Sequence, residues 1–310
     1  MNLFEIIKKN YQQKQDIKQI RINFRVLIRE LNLVNKMGVY PANIQVKFLE
    51  YGYENYFSIS RICDYSNLEN NINFIKDCFG AYTINLKNDR GLVTLTVYTK
   101  ELEEKNYTKT LYNGYTLLLG YNYTGNITTN MLVSPHLLVS GLSGQGKTGQ
   151  LRVIVSNLGG FADIYLLNCF KSDFRGFENL TFINGNDNIL EFLENYKKNE
   201  FKEHQRPNYI IIDELMMLSE DKKIQKLIKE FLCVCRHYNT FIIGVIQVAR
   251  SEDFKSKTFF NSRVSFRQVD KSSYSVALGS SGELEELEKR EFYCKGSEGL
   301  QKGYTYTLTY

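Results

Sequence analysis

One octapeptide constrains this chain more than any other feature in it: Gly141-Leu-Ser-Gly-Gln-Gly-Lys-Thr148. It fits G-x-x-x-x-G-K-Ser/Thr at every position, follows an apolar run over 136–141, and leads into a stretch with Leu151, Ile154, Val155 and Leu158 at helical spacing. A strand, a glycine-rich turn and a helix in that order wrap backbone N–H groups around a phosphate and set it at a helix N-terminus, where partial positive charge collects. Gly141, Ser143, Gly144, Gln145, Gly146, Lys147 and Thr148 are therefore the candidate nucleotide-binding residues. Lys147 is expected to reach the β- and γ-phosphates and the Thr148 hydroxyl to ligate magnesium, so the implied cofactors are ATP and Mg2+.

A second acidic element follows at the right remove. Tyr209-Ile-Ile-Ile-Asp213-Glu214 is an apolar strand ending in two carboxylates. Asp213 is expected beside Thr148 at the metal, and Glu214 as the general base that polarises an attacking water. A whole strand–helix unit, 163–198, separates this pair from the phosphate loop. That order points to a RecA-like ATPase with an added central strand and away from kinases and GTPases.

The rest of the chain reads as two kinds of region. Residues 1–39 are a basic amphipathic helical segment, with Ile20, Phe24, Leu27, Ile28 and Leu31 on one stripe over 15–36 and Gly38 and Pro41 as stops. Residues 40–100 read as a small α+β domain: a strand over 43–50, a helix with Ser66 as N-cap, and strands over 82–86 and 92–98 joined by Asn88-Asp89-Arg90-Gly91. Residues 101–114 are polar and read as a linker. From 115 to 310 strands alternate with helices, which is the pattern of an α/β domain with a mainly parallel sheet. Strands are expected over 163–168, 209–213, 241–247, 263–269 and 303–308, with helices over 147–158 and 187–197 and a long one capped by Ser219.

Composition narrows little but excludes something. No apolar run approaches the roughly 18 residues of a membrane span. Six cysteines without metal-ligand spacing, and no signal peptide, imply free thiols in the cytoplasm. A net charge of +5 tolerates a polyanionic partner without arguing for one. The histidines at 136, 204 and 237 share no metal spacing.

With these motifs in hand, the chain resembles the motor domain of the FtsK/SpoIIIE family of DNA translocases over roughly 40–310. Pro135-His-Leu-Leu-Val-Ser-Gly141 is similar to the family's P-H-L-L-V-A-G, Lys171-Ser-Asp173 to its D-P-K segment, and Asn261-Ser-Arg263-Val-Ser-Phe266 with Asp270 to its N-x-x-R-I-x-F and the segment after it. Ile242-Ile-Gly-Val-Ile-Gln247 resembles the strand ending in the sensor glutamine, and Arg236 stands where the family carries its arginine finger. The family's Q-R-P is Gln247-Val-Ala here and its D-P-K is Cys169-Phe170-Lys171, so both loops depart from the pattern. Neither a membrane segment before the motor nor a winged-helix module after it is expected, which suggests a plasmid or mobile-element form.

The resemblance implies a ring, hexameric in the family, that moves double-stranded DNA through its pore in plasmid transfer, partition or packaging. Arg250, Lys255 and Lys257, in a mixed basic and aromatic stretch after the sensor strand, are the candidate DNA contacts, by phosphate attraction independent of sequence. A competing reading is an ATP-gated adaptor that recruits a relaxase, replication or partition protein through the basic N-terminal helix.

Overall fold

The structure, a computed structural model, describes residues 3–308 except 111, 179, 203, 219–220, 248–257 and 280–283. The chain divides into two compact units, one ending at Glu103 and the other beginning at Glu104.

The first unit contains α1 (Leu3–Glu30), β1 (Asn43–Phe48), β2 (Gly52–Ser58), α2 (Tyr65–Glu69), α3 (Ile72–Cys78), β3 (Thr83–Asp89) and β4 (Leu92–Tyr98). The strands form an antiparallel sheet in the order β1-β2-β4-β3. Alternation along β2 turns Tyr53 and Phe57 toward the helices, where they share a core with Ile20, Phe24 and Leu27 of α1 and Leu68 and Ile75 of α2 and α3. Phe24 and Phe57 meet with ring centroids 4.8 Å apart. The basic helix is thus part of this unit's core, and its apolar stripe is used there. Two expectations change locally. The helix placed after Ser66 starts two residues earlier, behind Asp64, and is broken at Asn70-Asn71 into α2 and α3. The β3–β4 turn is tighter than four residues: Arg90 and Gly91, both at positive φ, form the two-residue loop, and the Asn88 Oδ1 accepts the Gly91 N–H at 2.9 Å.

The second unit contains β5 (Thr116–Asn122), β6 (Gly125–Asn130), β7 (Leu137–Ser140), α4 (Lys147–Leu158), β8 (Asp163–Leu167), β9 (Thr181–Ile183), α5 (Asn186–Glu200), β10 (Asn208–Ile212), α6 (Leu215–Leu218), α7 (Lys222–Val234), β11 (Thr240–Ile246), β12 (Ser262–Ser265), α8 (Lys271–Leu278), β13 (Glu291–Gly296) and β14 (Gly299–Tyr304). Among the described residues the strands make one sheet in the order β6-β5-β14-β13-β12-β7-β11-β10-β8-β9. From β12 to β9 all pairings are parallel; β13, β14, β5 and β6 continue the sheet antiparallel. Every residue of β10 and β11 is buried, as central parallel strands covered on both faces must be. One face packs on Leu151, Ile154, Val155 and Leu158 of α4, the other on Ile189 and Leu193 of α5 and Ile224, Ile228 and Phe231 of α7. This is a RecA-like P-loop architecture, a mainly parallel sheet between helices.

Several boundaries differ from expectation for identifiable reasons. The N-cap of α7 is Asp221, whose carboxylate accepts the N–H groups of Lys223 at 2.8 Å and Ile224 at 3.2 Å; Ser219 lies outside the described residues. The last strand is β14, ending at Tyr304, and Thr307 instead bridges in parallel to Asn106. That bridge ties part of the polar stretch expected as a linker into the second unit. The strand expected over 263–269 ends at Ser265.

Candidate active site

Parallel pairing brings the C-terminal ends of β7, β10 and β11 to one edge of the sheet, the edge where open α/β folds bind ligands. The phosphate loop leaves β7 there. Gly141, Gly144 and Gly146 take φ of 144°, 75° and 121°, which L side chains rarely adopt. A Cβ on Gly141 would also lie 2.6 Å from the Phe266 Cβ, so that position tolerates no side chain. The loop is held by its surroundings: the Gly141 N–H donates to Ile246 O (3.3 Å), Leu142 N–H to Arg267 O (2.9 Å), and Arg290 N–H to Gln145 O (2.9 Å). It opens into the N-terminus of α4, whose unpaired N–H groups favour an anion.

A cavity of about 430 Å³ lies over this edge, lined by Ser143, Gly144, Gly146, Lys147, Thr148, Asp173, Asp213, Glu214 and Gln247 among others. The Lys147 Nζ donates to Gly141 O (2.5 Å) and Leu142 O (3.0 Å). Burial pushes its pKa down, and the carboxylates of Asp213 and Glu214 act against that. Asp213 is half-buried and its pKa is raised, first by burial. The N–H of Glu214, 3.0 Å from Asp213 Oδ1, and the Lys147 charge both oppose that rise, while the Glu214 carboxylate adds to it. Backbone bonds fix the strand end: Asp213 N–H donates to Leu167 O (3.0 Å), and Asn168 Nδ2 to Asp213 O (3.3 Å).

Glu214 has a φ of 48°, left-handed for a residue with a side chain. Its Oε1 accepts the Gln247 Nε2 at 2.5 Å. Two residues 33 positions apart, from the ends of β10 and β11, thus form one hydrogen-bonded pair at the mouth of the cavity. Strain of this kind persists where the surrounding structure enforces it, and it gathers at functional sites.

Lys147, Thr148, Asp213, Glu214 and Gln247 come together; Arg236 does not join them. It lies exposed in a 3-10 turn, Cys235–Tyr238, before β11 begins, at the opposite edge of the sheet. Gln145 lines the loop through its backbone, not the cavity. Arg250, Lys255 and Lys257 lie outside the described residues.

Two features of the site were not singled out from the sequence. Asp173, in the turn Lys171–Phe174, adds a third carboxylate to the cavity; its place after β8, in the segment compared with D-P-K, was the available signal. Arg290 has no signal in the sequence. Besides its bond to Gln145, its Nη2 donates to Thr305 O (2.8 Å) and Thr307 Oγ1 (2.6 Å), and its Nη1 lies 3.0 Å from Glu104 Oε1. Among the described residues no three His, Cys, Asp or Glu side chains gather to hold a metal unaided.

Comparison with solved structures decides the architecture. The pCW3 conjugation coupling protein TcpA, solved as a monomer form with ATPγS, superposes with a TM-score of 0.59 over 93% of this chain and 95% of its own, at 16% identity. The fold is that of a P-loop ATPase. This ATPase fold is shared with the cytoplasmic domain of the Thermomonospora curvata type VII secretion ATPase EccC, at TM-score 0.51 and 17% identity over 65% of this chain. Geobacillus thermodenitrificans EssC (ATPases 2 and 3) gives 0.52 and 15% over 86%. The chain spans 29% and 57% of those two structures. These neighbours are FtsK/SpoIIIE-type ATPases, the family whose motifs the sequence resembles. No family model matches the chain, and no curated protein matches it by sequence. Among the described residues no helix is long and apolar enough to cross a membrane.

Proposed function

We propose that this chain is an ATP-hydrolysing motor that assembles with further copies of itself into a hexameric ring and moves double-stranded DNA.

 The observation that carries this reading is the convergence of Lys147, Thr148, Asp213, Glu214 and Gln247 on one cavity at the mouth of a glycine loop.

The residues present fit a magnesium–nucleotide pair. The loop N–H groups and the α4 N-terminus suit phosphate, and Lys147 would exchange its two carbonyl partners for phosphate oxygens. Thr148 and Asp213 offer the hard oxygen donors that Mg2+ takes alongside phosphate oxygens and water. Bound there, the metal would neutralise phosphate charge. Glu214 then takes the proton of the attacking water, and its bond to Gln247 orients the carboxylate for that role. Gln247 links the cavity to the segment that follows β11, so it is positioned to report the γ-phosphate to the DNA contacts assigned to Arg250, Lys255 and Lys257.

Arg236 lies at the far edge of its own sheet and is therefore assigned to the nucleotide of an adjacent copy. The conjugation role in the name of TcpA makes DNA transfer the process favoured for this chain. ATP turnover measured with and without linear duplex DNA is the direct test. Several-fold stimulation supports the motor; turnover indifferent to DNA and raised by a protein partner would replace it with the adaptor.

A further inference from the structure

The outward face of α1 carries a charge pattern that the nucleotide site does not use. At 100° per residue, Lys14, Lys18, Arg21, Arg25 and Arg29 fall within about 80° of one another around the helix axis. At 1.5 Å per residue they form a ridge roughly 22 Å long. All five are exposed. The acids of α1 lie elsewhere on the wheel, with Glu5, Asp16 and Glu30 all about 160–200° from Lys14. Asp16 is engaged by Gln12 at 2.9 Å. Arg29 pairs with Glu30 at 2.8 Å, but both side chains are largely in water, where such a pair contributes little. Arg21, Arg25 and Arg29 also line a hollow of about 670 Å³ with Asn32, Tyr40 and Asn43.

We propose that this ridge is a second contact for duplex DNA, gripping its phosphates without reading sequence. The inference rests on the DNA-motor reading above and adds a binding surface to it. A continuous row of cations with no acid among them complements a linear polyanion, and a duplex offers a phosphate about every 3.4 Å of axis on each strand. The guanidiniums at three of the five positions present planar forks that suit phosphate oxygens. An anionic membrane is the weaker match. An interfacial helix must insert its apolar face, and that of α1 is already buried, with Ile20, Phe24 and Leu27 exposed by only 5%, 2% and 0%.

The test is equilibrium anisotropy of a short fluorescent duplex of arbitrary sequence, titrated with the full chain across a range of salt. The variant K18Q/R21Q/R25Q/R29Q alters only exposed side chains, so circular dichroism and DNA-free ATP turnover should match the parent. Each lost phosphate contact should lower the slope of log K against log salt by about 0.9, a total of roughly 3–4, and affinity at moderate salt should fall by about tenfold or more. Unchanged affinity and slope would overturn the ridge and leave the motor standing. Failure of the parent chain itself to bind the duplex would sink both. Binding to phosphatidylglycerol vesicles that the variant loses, with duplex binding intact, would hand the ridge to a lipid surface.

Discussion

Replacing Glu214 separates chemistry from backbone strain at a single position. Glu214→Gln keeps the shape and the hydrogen-bond reach toward Gln247 but removes the base. Loss of a general base costs about 10²–10⁴ in rate, which is roughly 2.7–5.4 kcal/mol at 1.36 per tenfold. Nucleotide affinity should hold or tighten, because one carboxylate fewer faces the phosphates. The backbone makes a second, independent demand through its φ of 48°. A left-handed conformation costs a residue with a Cβ about 1–2 kcal/mol, while glycine gives up about 0.5–1 kcal/mol to chain entropy. Glu214→Gly should therefore be more stable than Glu214→Ala by about 0.5–1 kcal/mol, the reverse of the usual order. Single-turnover ATP hydrolysis and urea unfolding of the three variants measure both effects. Near-normal turnover in Glu214→Gln would remove Glu214 as the base. An alanine variant more stable than the glycine one would refute the strained conformation.

Three further outcomes follow from other parts of the molecule. Arg236→Ala should fold normally and lose ATP turnover by about 10³-fold or more, with partial recovery when mixed with Lys147→Ala subunits; turnover near normal would remove it from the chemistry. His136 is buried, accepts the Ile242 N–H at 3.0 Å through Nδ1, and has its pKa pushed down to about 4, chiefly by burial. Its folded pKa lies below the unfolded 6.5, so its contribution is complete above pH 6.5 and is lost as pH falls toward 4, by about 3 kcal/mol in all. His136→Gln should flatten that part of the acid dependence of the urea midpoint, and an unchanged profile would contradict the assignment. Arg290→Ala keeps the backbone N–H that holds Gln145 O but frees residue 290 from Thr305, Thr307 and Glu104; the looser loop should bind nucleotide more weakly by up to about tenfold, roughly 1.4 kcal/mol, and Arg290→Lys should restore only part of it because an ammonium lacks the fork. Titration with a fluorescent nucleotide checks this, and an unaltered Kd would show that the Arg290 side chain does not set the position of the loop.

Much of the site was legible in the sequence because its pieces are local. The phosphate loop, the strand ending in Asp213-Glu214 and the strand ending in Gln247 each occupy consecutive residues whose apolar runs and turn chemistry announce them. Several of the missed elements are short or lack contrast. β9 has three residues, β6 is the polar run Gly-Asn-Ile-Thr-Thr-Asn, and β13 becomes a strand by pairing with β12 and β14 across long loops. The α7 cap was misplaced by two residues because Ser219 and Asp221 both carry cap chemistry, and tertiary packing of Ile224 and Ile228 sets which one starts the helix.

The order of residues alone determined the glycine loop, the succession of strand and helix around it and the two acids that follow, since these depend on covalent neighbours and local periodicity. Only the tertiary structure decided that Gln247 holds Glu214, that Arg290 buttresses Gln145, that Asp173 enters the cavity and that Arg236 stands at the opposite edge of the sheet. Those relations depend on the register of strands far apart in the chain, which is set when two buried sheet faces pack against helices and not by any short run of residues.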